Sequence, residues 1–248
     1  MFQGSKYAVQ DYRYTRNRST QIETGRANTR YPMNADDGMI EKAAVMLTMQ
    51  NDMNCHVDAD WQARGRAWYR AIWIECAELM DHYGGWKWWK ESSPDMPQVI
   101  LEIVDIWHFG LSMEIESGLA TEQIARNIVS QWQAAGEGGD FYQEVEQLAT
   151  TALSDKRFEI ASVGRLMRLC ESDFDELYRT YVAKNVLNMF RQDHGYKTGT
   201  YIKNWNGAED NEVLADLLMN LDSDAPDFRA CIYAALETAY ADLTSRRS

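Results

Sequence analysis

Apolar residues recur at intervals of three and four along most of the chain, which is the period of an α-helix. The pattern predicts helices over 38–56, 61–83, 98–117, 120–135, 141–153, 158–170, 173–192, 209–221 and 226–244. Four prolines fall where loops are expected. No segment alternates apolar and polar residues convincingly, and Asn206-Gly207 has turn chemistry without flanking strand runs to join. The expected fold is therefore all-α, a multi-helix bundle with its core between long antiparallel helices. Residues 38–248 read as one domain, preceded by an extension over 1–37 with little apolar periodicity.

Polar residues interrupt three of the apolar faces. Gln50 and Asn54 continue the stripe Ile40, Ala43, Leu47, so their amides face inward and can donate to and accept from the edge of a base. The next helix carries Trp68, Ala71, Glu75, Glu78 and His82 on one side. Between Val99 and Met113 the only titratable residues are Glu102, Asp105 and His108, again on one face. The helix 173–192 has Leu177, Tyr181, Lys184, Asn188 and Arg191 in line.

Charge sharpens this picture. The 248 residues include 38 acids against 25 bases, a net charge of −13, so most of the surface repels nucleic acid. Residues 1–34 carry a net +4, an arm with the charge to touch nucleic acid or a partner subunit. Four cysteines without metal-type spacing suit reduced thiols, and no apolar run has the length of a membrane span. The amino terminus shows no secretory pattern, and the expected location is the cytoplasm.

Carboxylates on an otherwise apolar face need a reason. A lone buried carboxylate costs several kcal/mol or takes up a proton, and several together also repel. Either acidic pair alone is explained by solvated helix acids, but the two on successive helices point to a cation cradle made of Glu75, Glu78, Glu102 and Asp105. All-oxygen donors favour Mg²⁺, with Mn²⁺ as a substitute, and about two or three ions suit this many acids. Against the overall negative charge, residues 184–203 hold Lys184, Arg191, Lys197 and Lys203 with Asp193 as the only acid, which suits phosphate oxygens. Gly195 and Gly199 let that segment wrap closely around a ligand. Trp86, Trp88, Trp89, Trp107 and Phe109 supply candidate stacking surfaces. The ligand inferred from these groups is a nucleotide bearing a polyphosphate.

The stretches ECAELMDHYGGWKWWK (75–90), EIVDIWHF (102–109), MQNDMN (49–54) and KNVLNMFRQDHGYKTGTYIKNWNGAEDN (184–211) resemble the dimeric all-α dUTP diphosphatases, members of a wider helical group of nucleoside triphosphate pyrophosphatases. The resemblance implies a hydrolase of nucleotide metabolism that converts dUTP, and also dUDP, to dUMP. It implies a homodimer, Mg²⁺ at Glu75, Glu78, Glu102 and Asp105, and Glu75 as the base that activates water. By the same resemblance Gln50, Asn54, Trp88 and Phe109 line a uracil pocket, and His108 and Asn188 meet the deoxyribose. Lys184, Arg191, Tyr196, Lys197 and Lys203 correspond to the phosphate clamp. Three other readings remain open: a related pyrophosphatase acting on dCTP or a modified nucleotide, a di-iron bundle, and a non-catalytic helical module. The di-iron reading lacks the paired Glu-x-x-His motifs such sites use.

Overall fold

Aspartates start three of the helices. The side chains of Asp95, Asp140 and Asp173 accept hydrogen bonds from the backbone N–H groups of Gln98, Gln143 and Glu176 at 3.4, 3.1 and 2.9 Å. Each satisfies an N–H that the first helical turn leaves unpaired. The computed structural model describes residues 35–222, 225 and 227–245. Its helices are α1 (Ala35–Val57), α2 (Trp68–Tyr83), α3 (Met96–Glu116), α4 (Thr121–Ala134), α5 (Phe141–Asp155), α6 (Ile160–Leu169), α7 (Phe174–Asp193), α8 (Asp210–Leu218) and α9 (Phe228–Ser245). The all-α architecture expected from the periodicity is the one observed. Most of the basic extension lies outside the described residues, and α1 begins at Ala35, with Asp36 and Asp37 in its first turn, ahead of the expected start.

Helix α3 occupies the centre, and α1, α2, α4, α6, α7 and α8 all pack against it. Its apolar side chains Val99, Leu101, Ile103, Val104, Ile106, Trp107 and Leu111 are almost wholly buried. Burying one such side chain contributes about 1.5–3 kcal/mol, so α3 is held rigidly on several sides. A polar residue on this helix is consequently fixed by its neighbours. That is why Glu102, His108 and Ser112, all buried, can hold defined geometries.

Two local expectations are corrected. The predicted helix 61–83 is broken: a short 3₁₀ turn, Trp61–Arg64, ends at Gly65 in the left-handed region (φ 57°), and α2 starts only at Trp68. Asp58 draws in both Arg64 and Arg66 at 2.8 and 2.7 Å and so stabilises the break. The expectation of no strand is also modified. Asn206 (φ 57°) and Gly207 (φ 104°) form a tight turn that pairs β1 (Asn204–Trp205) with β2 (Ala208–Glu209). Strands of two residues are too short to leave any alternation in the sequence. The turn is anchored on α7 and α9 by aromatic packing: Phe190 meets Trp205 at 5.9 Å between ring centres, and Tyr201 stacks on Tyr240 at 5.5 Å.

Candidate active site

Helices α2 and α3 lie side by side, and the acids spaced by three on each helix turn toward the seam. One carboxylate oxygen from each of Glu75, Glu78 and Glu102 falls within 4.8 Å of the others. Glu102 is buried, Glu75 half-buried and Glu78 exposed, so the cluster opens to solvent on one side. Burial, followed by the charges of Asp105, Glu102 and Glu78, pushes the Glu75 carboxyl up to about 9. Burial and Asp105 push Glu102 to about 7, with Lys184 partly opposing. Among the described residues Glu102 Oε2 is buried with no hydrogen-bond partner, while Oε1 is 3.6 Å from His82 Nε2. Carboxylates held this way need protons or a shared cation. Their all-oxygen donor set, with one buried oxygen unsatisfied among the described residues, fits Mg²⁺.

Asp105 takes a different partner. Its Oδ2 accepts from Lys184 Nζ at 2.8 Å, and Lys184 is almost completely buried. The structure thus brings three of the four predicted acids together and sets the fourth beside them against an ammonium. The same ammonium donates to Asn211 Oδ1 at 2.8 Å. Arg191 grips Asp210 with two parallel bonds of 2.8 Å each and also reaches Asn188 and Asn211 at 3.1 and 3.0 Å. Burial would raise the Asp210 carboxyl, but Arg191 more than offsets this and holds it below the usual range. Tyr201 donates to Asp210 as well, at 2.8 Å. The predicted clamp therefore divides. Lys184 and Arg191 form a buried, internally neutralised network, whereas Tyr196, Lys197 and Lys203 are exposed. Lys197 donates to the Val57 carbonyl at 2.9 Å, and Lys203 pairs with Glu209 at 2.8 Å. Gly195, left-handed at φ 87°, lets Thr200 fold back onto the turn Tyr196–Thr198, because a β-carbon there would collide with the Thr200 hydroxyl.

A cavity of about 210 Å³ adjoins these groups, lined by Gln50, Asn54, Trp68, Asp105, His108, Phe109 and Asn188 among others. Gln50 and Asn54 are buried, so the inward stripe on α1 is real. Gln50 Nε2 donates to Asn54 Oδ1 and Ser112 Oγ, both at 3.1 Å, and Asn54 Nδ2 donates to Ser112 Oγ at 2.9 Å. Gln50 Oε1 lies 2.7 Å from His108 Nδ1. An amide oxygen only accepts, so Nδ1 carries the proton, and His108 Nε2 is left as a buried acceptor without a partner among the described residues. Burial lowers the His108 pKa to about 4; Asp105 pulls the other way, and Lys184 and Arg191 reinforce the burial. The ring is neutral at pH 7.

The aromatic walls differ from the sequence expectation. Trp88 is 87% exposed and lies outside this cavity, as do the exposed Trp86 and Trp89. Trp107 is core. Phe109 does line the cavity, and its stacking partner is Trp68, with ring centres 6.2 Å apart and planes 29° from parallel.

A family model described as dUTPase matches residues 42–196, more than half of the chain and all of α1–α7 apart from the first turns of α1. The chain belongs to the dUTPase family. It is accordingly a dUTP diphosphatase, and the resemblance read from its motifs agrees with this finding. No curated protein matches the chain. Among the described residues of this dUTPase, no helix is long and apolar enough to cross a membrane.

Sequence reasoning missed several residues of the site. Asp210 and Asn211 lie beyond the matched segment, yet they organise Arg191 and Lys184; both stood inside the quoted block 184–211 without a role. Tyr201, Trp68 as a pocket wall, and Ser112 were also passed over. Ser112 follows Glu102, Asp105 and His108 on the same face of α3, a signal hidden because serine does not titrate.

Proposed function

We propose that this dUTPase cleaves the bond between the α- and β-phosphates of dUTP in an Mg²⁺-dependent reaction, and that dUDP is a second substrate. The convergence of Glu75, Glu78 and Glu102 beside the Asn54–His108 cavity carries this reading. Those three glutamates and Asp105 would hold the ions. Bound there, Mg²⁺ would neutralise phosphate charge and ease the deprotonation of a water.

The remaining work belongs to the chain. Glu75 is the catalytic base: with cations on the acid cluster its carboxyl is ionised, and it takes one proton from the water whose oxygen forms the new bond to phosphorus. The departing pyrophosphate leaves toward the exposed Tyr196, Lys197 and Lys203, the two lysines exchanging their bonds to the Val57 carbonyl and to Glu209 for phosphate oxygens. Lys184 and Arg191, neutralised by Asp105 and Asp210, hold Asp105, Asn188 and Asn211 at fixed positions. His108 Nε2, bare of hydrogen and unpartnered, accepts from the deoxyribose hydroxyl, with Asn188 nearby on the cavity wall. Asn54 meets the uracil edge, and the Trp68–Phe109 pair meets its ring face. A 5-methyl group is excluded by the size of the cavity. The enzyme is proposed to act as a homodimer, as the family resemblance implies.

The test is product analysis with dUTP, dUDP, dCTP and dTTP across a range of Mg²⁺ concentrations. Formation of dUMP and pyrophosphate only with added Mg²⁺, and selectively from dUTP, supports the reading. Equal turnover of dUTP and dTTP, or turnover unaffected by removing divalent ions, would overturn it.

A further inference from the structure

We infer that Ser112 is the positioning residue that makes the base pocket prefer uracil to cytosine, acting through the orientation of the Asn54 amide. The inference rests on the assignment of Asn54 to the base edge. A side-chain amide is nearly symmetric: turning it by 180° exchanges a donor for an acceptor. The adjacent groups N3–H and C=O of uracil ask for an acceptor beside a donor, and cytosine, with N3 and an exocyclic NH₂, asks for the reverse. An asparagine free to turn would accept either base. Selectivity therefore depends on what prevents the turn.

Ser112 is completely buried, and its hydroxyl donates to the His108 carbonyl at 3.1 Å. With its hydrogen spent, Ser112 Oγ can only accept, and it faces the nitrogens of both Gln50 and Asn54. Gln50 in turn presents Nε2 to Asn54 Oδ1. If Asn54 turned over, two N–H groups would confront each other, and Ser112 would have to abandon the His108 carbonyl. Gln50 is turned away from a donor role toward the base, since both of its N–H groups are used and Oε1 accepts from His108 at 2.7 Å. Asn54 retains one N–H and one lone pair. Reading thus falls to Asn54, and Gln50 and Ser112 fix which way it reads.

The experiment compares kcat/KM for dUTP and dCTP in wild type, Ser112→Ala and Ser112→Thr, with Tm measured for each. Loss of the hydroxyl should lower the dUTP:dCTP ratio by roughly 10- to 100-fold, the usual scale for losing a fixed bidentate donor–acceptor match. KM should move in opposite directions for the two substrates, whereas a purely structural defect would lower both activities together. Ser112→Thr, which keeps the hydroxyl, should retain the ratio. Ser112→Cys, of nearly the same size but a weak acceptor, provides the same reading if the alanine variant does not fold. An unchanged ratio in a folded Ala or Cys variant, with normal wild-type selectivity, overturns this inference alone. Wild type that fails to prefer dUTP overturns the base assignment, and the inference with it.

Discussion

Lys184 Nζ and Asp105 Oδ2 lie 2.8 Å apart, with the lysine side chain only 1% exposed. An ammonium so deeply buried is tolerable because Asp105 and Asn211 both receive it. The pair links α3 to α7, and through Asn211 to the start of α8, so it fixes the relative position of the acids and the loop that follows α7.

Removing one partner exposes that dependence. Lys184→Met should cost about 3–5 kcal/mol of stability, because Asp105 is left without its counter-ion. Urea unfolding measures the loss. The double variant Lys184→Met/Asp105→Asn should recover much of it, and a non-additive cycle is the expected result.

The acid cluster should make the metal-free protein pH-sensitive. Glu75 and Glu102 are raised above their ordinary value of 4.5, to about 9 and about 7, so the folded chain binds more protons than the unfolded one across that interval. Stability must then fall as pH rises through it. His108, lowered from 6.5 to about 4, contributes in the opposite sense: its term is lost as pH falls from 6.5 toward 4. Above pH 6.5 the carboxyl term stands free of the histidine. Between pH 6.5 and 9 the Tm should therefore decline without metal. Adding Mg²⁺, or replacing Glu75 by Gln, should flatten the slope.

The aromatic walls make separate predictions for two tryptophans. Trp68→Ala should raise KM for dUTP by about 10-fold or more, since stacking one base on an aromatic ring is worth about 1–3 kcal/mol. Trp88→Ala, on the exposed surface outside the cavity, should raise it far less. Steady-state kinetics with both variants decides which ring carries the base.

Much of the site was visible in the chain because helical periodicity translates spacing into direction. Glu75 with Glu78, Glu102 with Asp105, and Gln50 with Asn54 all face where their three- and four-residue spacings require. What spacing cannot convey is which groups neutralise one another across helices. Lys184 and Arg191 read as phosphate ligands because their partners, Asp105 and Asp210, are distant in sequence or lie beyond the helix. Trp88 stood as a pocket wall by the family resemblance, but the loop after α2 carries it outward. The break at Gly65 escaped notice because apolar periodicity runs through it, and a single left-handed residue overrides the pattern.

Under the proposed function, Glu75, Glu78, Glu102 and Asp105 hold the cations that carry the nucleotide's phosphates. The decisive measurement is electron paramagnetic resonance of Mn²⁺ titrated into the protein with a nonhydrolysable dUTP analogue. Wild type should take up Mn²⁺ from solution, and Glu102→Gln should weaken this uptake by more than about tenfold. Equal Mn²⁺ retention by a folded Glu102→Gln variant would contradict it.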